Sequence, residues 1–157
     1  MIRHRVLFVC TGNICRSPTA EGVARGLAIR QGVGDLFEFD SAGTHDYHVG
    51  ESPDSRTVAA ALKRGYDLAP LRARRVTEYD FVRFDHVLAM GRDHLGLLQK
   101  ACPRPQQRKL GLFLDFSQRF EADEVPDPYY GGAQGFDHVL DMVEDAATQL
   151  ILKLSVR

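Results

Sequence analysis

A cysteine and an arginine share one short segment of the sequence, the octet CTGNICRS at residues 10–17, in which five residues separate Cys10 from Arg16. An apolar, β-rich run, residues 6–9, leads directly into it. A strand that ends in a short loop, followed by a helix that opens at Pro18, aims backbone N–H groups and the positive end of the helix at one point. The octet therefore predicts a loop that holds a phosphoryl group, with a nucleophilic thiol at its floor.

The other residue types of this loop suit the same chemistry. Gly12 adopts a positive φ without steric cost, and Asn13 tolerates the left-handed region. The planar fork of Arg16 binds two phosphate oxygens at once and stabilises the charge of a trigonal-bipyramidal transition state. Because Cys10 lies near that cation and near a helix N-terminus, we expect it to exist largely as the thiolate. We expect Ser17 to donate its hydroxyl to the sulfur.

Two other interpretations of the octet are weaker. Cys10 and Cys15 as small core residues at a strand-to-helix turn would be ordinary for single cysteines in an apolar stretch. That interpretation does not explain a Gly-Asn pair, an arginine and a Ser-Pro helix start within eight residues. A nucleotide-binding loop needs a Gly-Lys-Ser/Thr ending, whereas this loop ends Cys-Arg-Ser.

A second candidate for chemistry is Asp127, which stands between two prolines in VPDPYYGG, residues 125–132. The flanking prolines stiffen the loop, so a carboxylic acid there is held over a bound phosphate at little entropic cost. A leaving alkoxide or phenolate departs more easily once it is protonated, which is the task of a general acid. Taken alone, Pro-Asp-Pro is also typical of a structural turn, so both roles stay open on spacing alone.

Composition limits the class of protein. The 157 residues carry 20 basic and 21 acidic side chains, a formal net charge of −1 that favours neither a nucleic-acid nor a membrane surface as partner. No apolar stretch approaches the roughly 20 residues that a membrane-spanning helix needs. Three cysteines form no disulfide framework, and a reactive thiolate indicates a reducing compartment. We expect a soluble, cytoplasmic protein with one domain, residues 1–157.

Strand and helix patterns alternate along the chain. The sequence predicts strands over 6–9, 37–42, 86–90 and 109–113, and helices over 18–30, 53–64, 93–100 and 136–154. This alternation predicts an α/β fold of three layers, with a four-stranded parallel sheet covered by helices on both faces. Ligands bind outside the carboxyl ends of such strands, and Cys10 stands at one of these ends.

Several separated motifs occur in the order found in one known family. Beside Cys-x5-Arg-Ser these are SAGT, PDSR, RARR, FDHVLAM and VPDPYYGG, at residues 41–44, 53–56, 72–75, 84–90 and 125–132. Together they cover nearly the whole chain, which resembles the low-molecular-weight protein tyrosine phosphatases. The resemblance implies a flavodoxin-like fold and hydrolysis of phosphotyrosine through a cysteinyl phosphate. It assigns the nucleophile to Cys10, phosphate binding to Arg16, and proton transfer to Asp127, first as acid and then as base.

The resemblance also implies the walls and the support of the pocket. Tyr47 and Tyr129 would flank a slot for a phenyl ring, with Ile14 at its base. The loop residues Thr11, Gly12, Asn13, Cys15 and Ser17 would line the phosphate. Asn13 and Ser41 match a hydrogen-bond network that supports the loop. The chain departs from the family pattern twice: Leu71 stands where many relatives have a histidine of this network, and Gly91 stands where an acidic residue commonly follows Leu-x-Met.

Further expectations concern redox chemistry and partners. Cys15 would lie close to Cys10 in a curled loop, so a reversible disulfide could protect the nucleophile from over-oxidation. The six histidines are scattered without ligand spacing, so we predict no metal and no cofactor. Resemblance to bacterial members implies phosphotyrosine-containing proteins as partners: a bacterial tyrosine kinase, or host proteins if the enzyme is secreted by a non-classical route. We expect a monomer or a weak dimer.

Three competing functions remain. Arsenate reductases of this fold need two further cysteines downstream of residue 75, and this chain has only Cys102 there. Protein-arginine phosphatases of the family tend to have threonine where this chain has Ile14, which favours an aryl phosphate here. A module that binds phosphotyrosine without cleaving it would lack one of the three reactive residues, and Cys10, Arg16 and Asp127 are all present.

Overall fold

The structure, a computed structural model, describes residues 1–128 and 132–156. Its strands are β1 (His4–Cys10), β2 (Phe37–Gly43), β3 (His86–Ala89) and β4 (Leu110–Leu112). Its α-helices are α1 (Arg16–Arg30), α2 (Ser55–Leu62), α3 (Glu78–Arg83), α4 (Arg92–Ala101) and α5 (Ala133–Ser155). Short 3₁₀ turns over Gly34–Leu36, Arg104–Lys109 and Phe113–Phe116 complete the connections.

The four strands form one parallel sheet in the order β2-β1-β3-β4. Phe8 in the middle of β1 pairs with Ser41 on one side and Leu88 on the other. This order confirms the predicted α/β fold with a parallel sheet, and it is the flavodoxin-like order, in which the chain reverses direction of winding beside β1. The carboxyl ends of β1 and β2 meet where Cys10 pairs with Gly43.

Both faces of the sheet are buried, as alternation along β1 shows. Val6 and Phe8 lie in the larger core cluster, which contains the apolar residues of α1 and α5. Leu7 and Val9 lie in a second cluster on the opposite face with Phe81 of α3 and Leu98 of α4. Because β1 is packed on both faces, the position of Cys10 at its carboxyl end is well fixed.

Some predicted boundaries are wrong. Helix α1 begins at Arg16, with the N–H of Thr19 bonded to the carbonyl of Cys15, and not at Pro18. Proline fits here because the first-turn N–H that it lacks would have no partner within the helix. Helix α3 is absent from the prediction, although Thr77 and Asp80 form a capping box at its start. Within the described residues, no helix combines the length and apolar character needed to cross a membrane.

Candidate active site

The loop after β1 directs its carbonyl groups outward. The carbonyls of Cys10, Thr11 and Ile14 accept backbone hydrogen bonds from Thr44, His45 and Asp54 at 2.8, 3.1 and 2.9 Å. In a trans peptide the N–H points opposite to the C=O, so the N–H groups that follow these carbonyls face the concave side of the loop. The N-terminus of α1 begins at Arg16 on the same side. The concave side is therefore an electropositive seat for an anion.

A close approach of two backbones holds this loop against the end of β2. A Cβ atom on Gly43 would lie 2.6 Å from the Thr11 carbonyl oxygen and 3.2 Å from the Gly12 carbonyl carbon. Such distances exclude any side chain at position 43, which explains a glycine at the end of that strand.

Asn13 is the hydrogen-bond centre of the loop. It is buried and is the one non-glycine residue with positive φ, 59°, in the described part of the chain. Its side-chain oxygen accepts the backbone N–H of Arg74 at 3.0 Å, and its amide nitrogen donates to Ser17 at 2.8 Å and to Ser41 at 2.9 Å. The Arg74 N–H can only donate, so it fixes the orientation of the amide. Ser41 in turn donates to Glu21 at 2.6 Å.

The thiol of Cys10 lies at the floor of the loop, 3 % exposed, with its Sγ 3.0 Å from Ser17 Oγ. Because Asn13 donates to that oxygen, the hydroxyl hydrogen of Ser17 is available to the sulfur. The other acceptor near the Ser17 hydroxyl, the carbonyl of Ala42, is more distant at 3.5 Å. The Ser17 hydroxyl is thus placed to donate its hydrogen to the Cys10 sulfur.

Arg16 and Asp127 meet at the mouth of the loop. The guanidinium donates to the carbonyl of Val125 at 3.3 Å, and its Nη2 lies 3.7 Å from Oδ2 of Asp127. The Arg16 side chain is 11 % exposed and that of Asp127 is 47 % exposed. The cation is thus fixed by protein contacts, whereas the carboxyl group reaches solvent.

A cleft of about 390 Å³ joins these groups. It is lined by Cys10, Thr11, Gly12, Ile14, Cys15, Arg16, Tyr47, His48 and Asp127. Ile14 is buried at 9 % exposure, and Tyr47, which is 66 % exposed, stacks on His45 with ring centroids 5.0 Å apart. The predicted second wall, Tyr129, lies outside the described residues. A slot with an apolar base and one aromatic wall above an anion seat suits a flat ester of phosphate.

Cys15 differs from Cys10 in its surroundings. It packs against Ala73 and Phe136, and burial raises the pKa of its thiol to about 12. At neutral pH Cys15 is therefore a thiol and not a thiolate. All three cysteines are free in the structure.

Besides His48, which lines the cleft, two polar groups of the site were missed by sequence reasoning. The Nε2 of His94 lies 2.8 Å from the Thr11 hydroxyl, while burial, together with the nearby Arg16 charge, lowers its pKa to about 4. Its Nδ1 is buried without a partner among residues 1–128 and 132–156. A bare acceptor is cheaper to bury than an orphan N–H, so we infer that Nε2 carries the proton and donates to Thr11. A histidine in the first turn of a helix gave no signal of this contact.

The second missed group is Glu21, buried in α1. It accepts from Ser41 and from Arg25, the latter at 2.7 Å, and burial raises its pKa above the usual value. The family pattern places a histidine of this network at position 71, but here Leu71 packs against the core. In this chain Arg25 is a polar partner of Glu21, and the Arg74 backbone is a polar partner of Asn13. The i, i+4 spacing of Glu21 and Arg25 was a signal available in the sequence.

Over residues 1–128 and 132–156, no three His, Cys, Asp or Glu side chains converge to form a metal site.

Fold and cleft together define an α/β protein whose first strand ends in a buried cysteine, followed by a loop with inward-facing N–H groups. The sequence model of the low molecular weight phosphotyrosine protein phosphatases matches residues 5–157. The chain belongs to this family, and it is a hydrolase of the protein-tyrosine-phosphatase class. A low molecular weight protein-tyrosine-phosphatase of Streptomyces coelicolor is 44% identical over 151 residues, covering 94% of this chain and 92% of its own.

Solved structures agree with this assignment. A protein tyrosine phosphatase from Entamoeba histolytica, solved with Hepes in the active site, is 42% identical with a TM-score of 0.93, over 96% of both chains. Wzb of Vibrio vulnificus, solved in complex with benzylphosphonate, is 26% identical with a TM-score of 0.83, over 96% of this chain and 99% of its own.

Proposed function

We propose that the protein hydrolyses phosphotyrosine in two steps at this cleft. The Cys10 thiolate attacks phosphorus in line, the bond from phosphorus to the phenolic oxygen breaks, and Asp127 gives its proton to that oxygen. A water molecule then attacks the cysteinyl phosphate while the Asp127 carboxylate takes a proton from it, which releases inorganic phosphate and regenerates the thiolate. Arg16 and the loop N–H groups stabilise the negative charge of both transition states.

One observation carries the proposal: Cys10, Arg16 and Asp127 line the same cleft, with the thiol at the floor and the acid at the rim. A bound phosphoryl group would contact the sulfur from one side, which leaves its ester oxygen on the side of Asp127. This is the arrangement that in-line displacement with a general acid requires. The half-exposed position of Asp127 gives water access to it in the second step.

The apolar base of the cleft favours an aryl ester over a phosphoguanidine. Ile14 offers no hydrogen-bond partner to a guanidinium, whose N–H groups would be left unsatisfied on burial. Tyr47 provides a ring face for a phenyl group. The benzylphosphonate complex of Wzb is consistent with an aromatic phosphate analogue as ligand of such a cleft.

The competing functions have less support. Cys102 lies in the second core cluster with Leu7 and Val9, away from the lining of the cleft, so it is poorly placed to relay a disulfide as an arsenate reductase requires. A module that only binds phosphotyrosine would not need an acid beside Arg16.

Phosphotyrosine-containing proteins are then the partners, and a bacterial tyrosine kinase is one such substrate. A free thiol as nucleophile fits a reducing compartment such as the cytoplasm.

The test compares phosphate release by the wild type, Cys10→Ser and the control Cys102→Ser from phosphotyrosine, phosphoserine and phosphoarginine peptides, under thiol protection. We expect release from phosphotyrosine that Cys10→Ser abolishes and Cys102→Ser retains, while Cys10→Ser still binds the peptide. Residual turnover in Cys10→Ser of even about a tenth would exclude the covalent mechanism, because loss of a nucleophile costs several orders of magnitude. A preference for phosphoarginine would overturn the substrate assignment.

A further inference from the structure

Gly91 is the N-cap residue of α4 and has no side chain with which to cap the helix. The carboxylate of Glu124, 33 positions later in the chain, takes that place. Its Oε2 accepts the backbone N–H of Arg92, the first residue of α4, at 2.7 Å. A Cβ atom on Gly91 would lie 3.1 Å from this oxygen and 3.6 Å from Glu124 Cδ. The glutamate thus fills the space that an N-cap side chain would occupy, and its charge suits the positive helix end.

A second contact joins the same two segments. Asp123 accepts a hydrogen bond from the Nε of Arg92 at 2.6 Å and forms an ion pair with its guanidinium. Both side chains are substantially exposed, so this pair contributes little by itself. The backbone contact of Glu124 is the more specific of the two, because its donor is fixed in the first turn of a helix.

The segment tied down in this way leads straight to Asp127. Val125, buried at 1 % exposure, donates its N–H to the carbonyl of Met90 at 2.8 Å and accepts from Arg16 at 3.3 Å. Only Val125 and Pro126 separate Glu124 from Asp127, and the φ of a proline is fixed near −65°. Holding residues 124 and 125 therefore restricts where the Asp127 carboxyl group can lie.

We propose that Glu124 is a positioning residue for the acid: its bond to the N-terminus of α4 fixes the loop that holds Asp127 over the ester oxygen. This inference rests on the proposed role of Asp127 as general acid. Gly91 and Glu124 are linked features, because a Cβ atom at position 91 would crowd the carboxylate that now tethers the loop to α4.

The alternative is that Glu124 only caps α4 and stabilises the fold. A capping side chain at position 91 itself would separate the two roles of Glu124, capping of α4 and tethering of the loop. Gly91 has φ −160° and ψ 171°, extended backbone that any residue adopts, and removal of the Glu124 side chain leaves room for an aspartate there. The double variant Gly91→Asp with Glu124→Ala therefore caps the helix without tethering the loop.

The experiment measures kcat/KM for a phosphotyrosine peptide and for 4-nitrophenyl phosphate, whose leaving phenol is more acidic and needs less protonation. Urea unfolding of each variant is recorded in parallel. The variants are Glu124→Ala, Glu124→Gln, the double variant, Asp127→Ala as reference and Glu121→Ala as a control for loss of an exposed carboxylate on the same segment.

For Glu124→Ala we expect a loss of about 10-fold on phosphotyrosine and under about 3-fold on 4-nitrophenyl phosphate, because misplacement of the acid matters only where protonation limits the rate. Glu124→Gln retains an acceptor oxygen and should stay within about 3-fold of the wild type on both substrates. The double variant should recover the urea unfolding midpoint of the wild type. It should still lose more activity on phosphotyrosine than on 4-nitrophenyl phosphate. Glu121→Ala should match the wild type.

Three results would each overturn the positioning role. Glu124→Ala could lose activity equally on both substrates, or on neither. The double variant could regain wild-type kcat/KM on phosphotyrosine. The reference variant Asp127→Ala distinguishes failure of the positioning inference from failure of the proposed function. If Asp127→Ala itself loses equally on both substrates, the acid assignment is wrong; if it shows the difference and Glu124→Ala does not, only the positioning inference is wrong.

Discussion

The guanidinium of Arg16 and the carboxylate of Asp127 face each other across the mouth of the cleft, with Nη2 3.7 Å from Oδ2. Arg16 is also bonded to Val125, two residues before Asp127. The residue proposed to bind phosphate therefore contacts the segment that carries the proposed acid. The proposed phosphate binding and the proposed proton transfer are therefore organised around one side chain.

Replacement of Asp127 by alanine should slow cleavage according to the leaving group. We expect kcat/KM for a phosphotyrosine peptide to fall by about 10²-fold or more, the usual contribution of a general acid, and that for 4-nitrophenyl phosphate to fall much less. Steady-state kinetics on both substrates checks this. Equal losses would remove Asp127 from the role of acid.

Asn13 should be needed both for its backbone conformation and for its amide. Asn13→Gly keeps the positive φ but loses three hydrogen bonds, whereas Asn13→Ala adds left-handed strain of about 1 kcal/mol. Urea unfolding should rank the wild type above Asn13→Gly and Asn13→Ala last, with about 0.5–1.5 kcal/mol lost for each hydrogen bond. Both variants should lose activity because Ser17 is no longer oriented. Full activity in Asn13→Gly would mean that the amide does not hold the loop.

His94 should make the fold sensitive to acid. Its pKa falls from the ordinary 6.5 to about 4 on folding, so the unfolded chain binds a proton more readily than the native protein between these pH values. Stability from this group is fully present above about pH 6.5 and is lost as the pH falls through about 4. For a nearly fully buried histidine this amounts to about 3 kcal/mol.

His94→Gln offers the check, because a glutamine amide can still donate to Thr11 but does not titrate. Urea unfolding from pH 7 to 4 should show the wild type losing stability relative to His94→Gln as the pH falls. Parallel pH profiles for the two proteins would show that His94 does not titrate as a buried group.

Cys15 should protect Cys10 from irreversible oxidation. Peroxide converts the Cys10 thiolate to a sulfenic acid, and the Cys15 thiol then attacks that sulfur, releasing water and forming a disulfide. Because the Cys15 pKa is about 12, its thiolate is scarce at neutral pH, and the second step should accelerate as the pH rises. We expect wild-type activity to return with dithiothreitol after peroxide treatment, and Cys15→Ala to recover far less. Equal recovery of the two proteins would contradict the disulfide.

Site residues that lie close together in the sequence could be predicted from it. The apolar run of β1, the loop that follows it and helix α1 occupy one continuous stretch. Most of the predicted loop residues line the cleft, whereas Asn13 and Ser17, predicted to line the phosphate, are buried behind it and support the loop. The parallel sheet followed from alternation of apolar strands with amphipathic helices. Helix α3 was overlooked because its six residues are too few to show helical periodicity, although the Thr77 and Asp80 capping box was visible.

Contacts between distant positions were not predictable from spacing. Nothing around His94 indicates that it reaches Thr11, 83 positions away, since the contact depends on how α4 packs beside the loop. Likewise, the departure at Gly91 was readable, but its replacement by the Glu124 carboxylate depends on the path of the chain after β4. The network around Asn13 shows the same limit, because spacing gives no sign that a backbone N–H 61 positions away, that of Arg74, holds its side chain.

The contrast between the floor and the rim of the cleft bears on inhibitor design. The floor consists mainly of backbone N–H groups and residues of the phosphate loop, so a compound that fills it alone is held chiefly through main-chain hydrogen bonds to its anionic group. At the rim, His48 is paired with Glu51 at 3.1 Å, and Tyr47 stacks on His45. A compound that extends from the phosphate seat to this rim would contact these side chains as well as the loop backbone, so its affinity would depend on both.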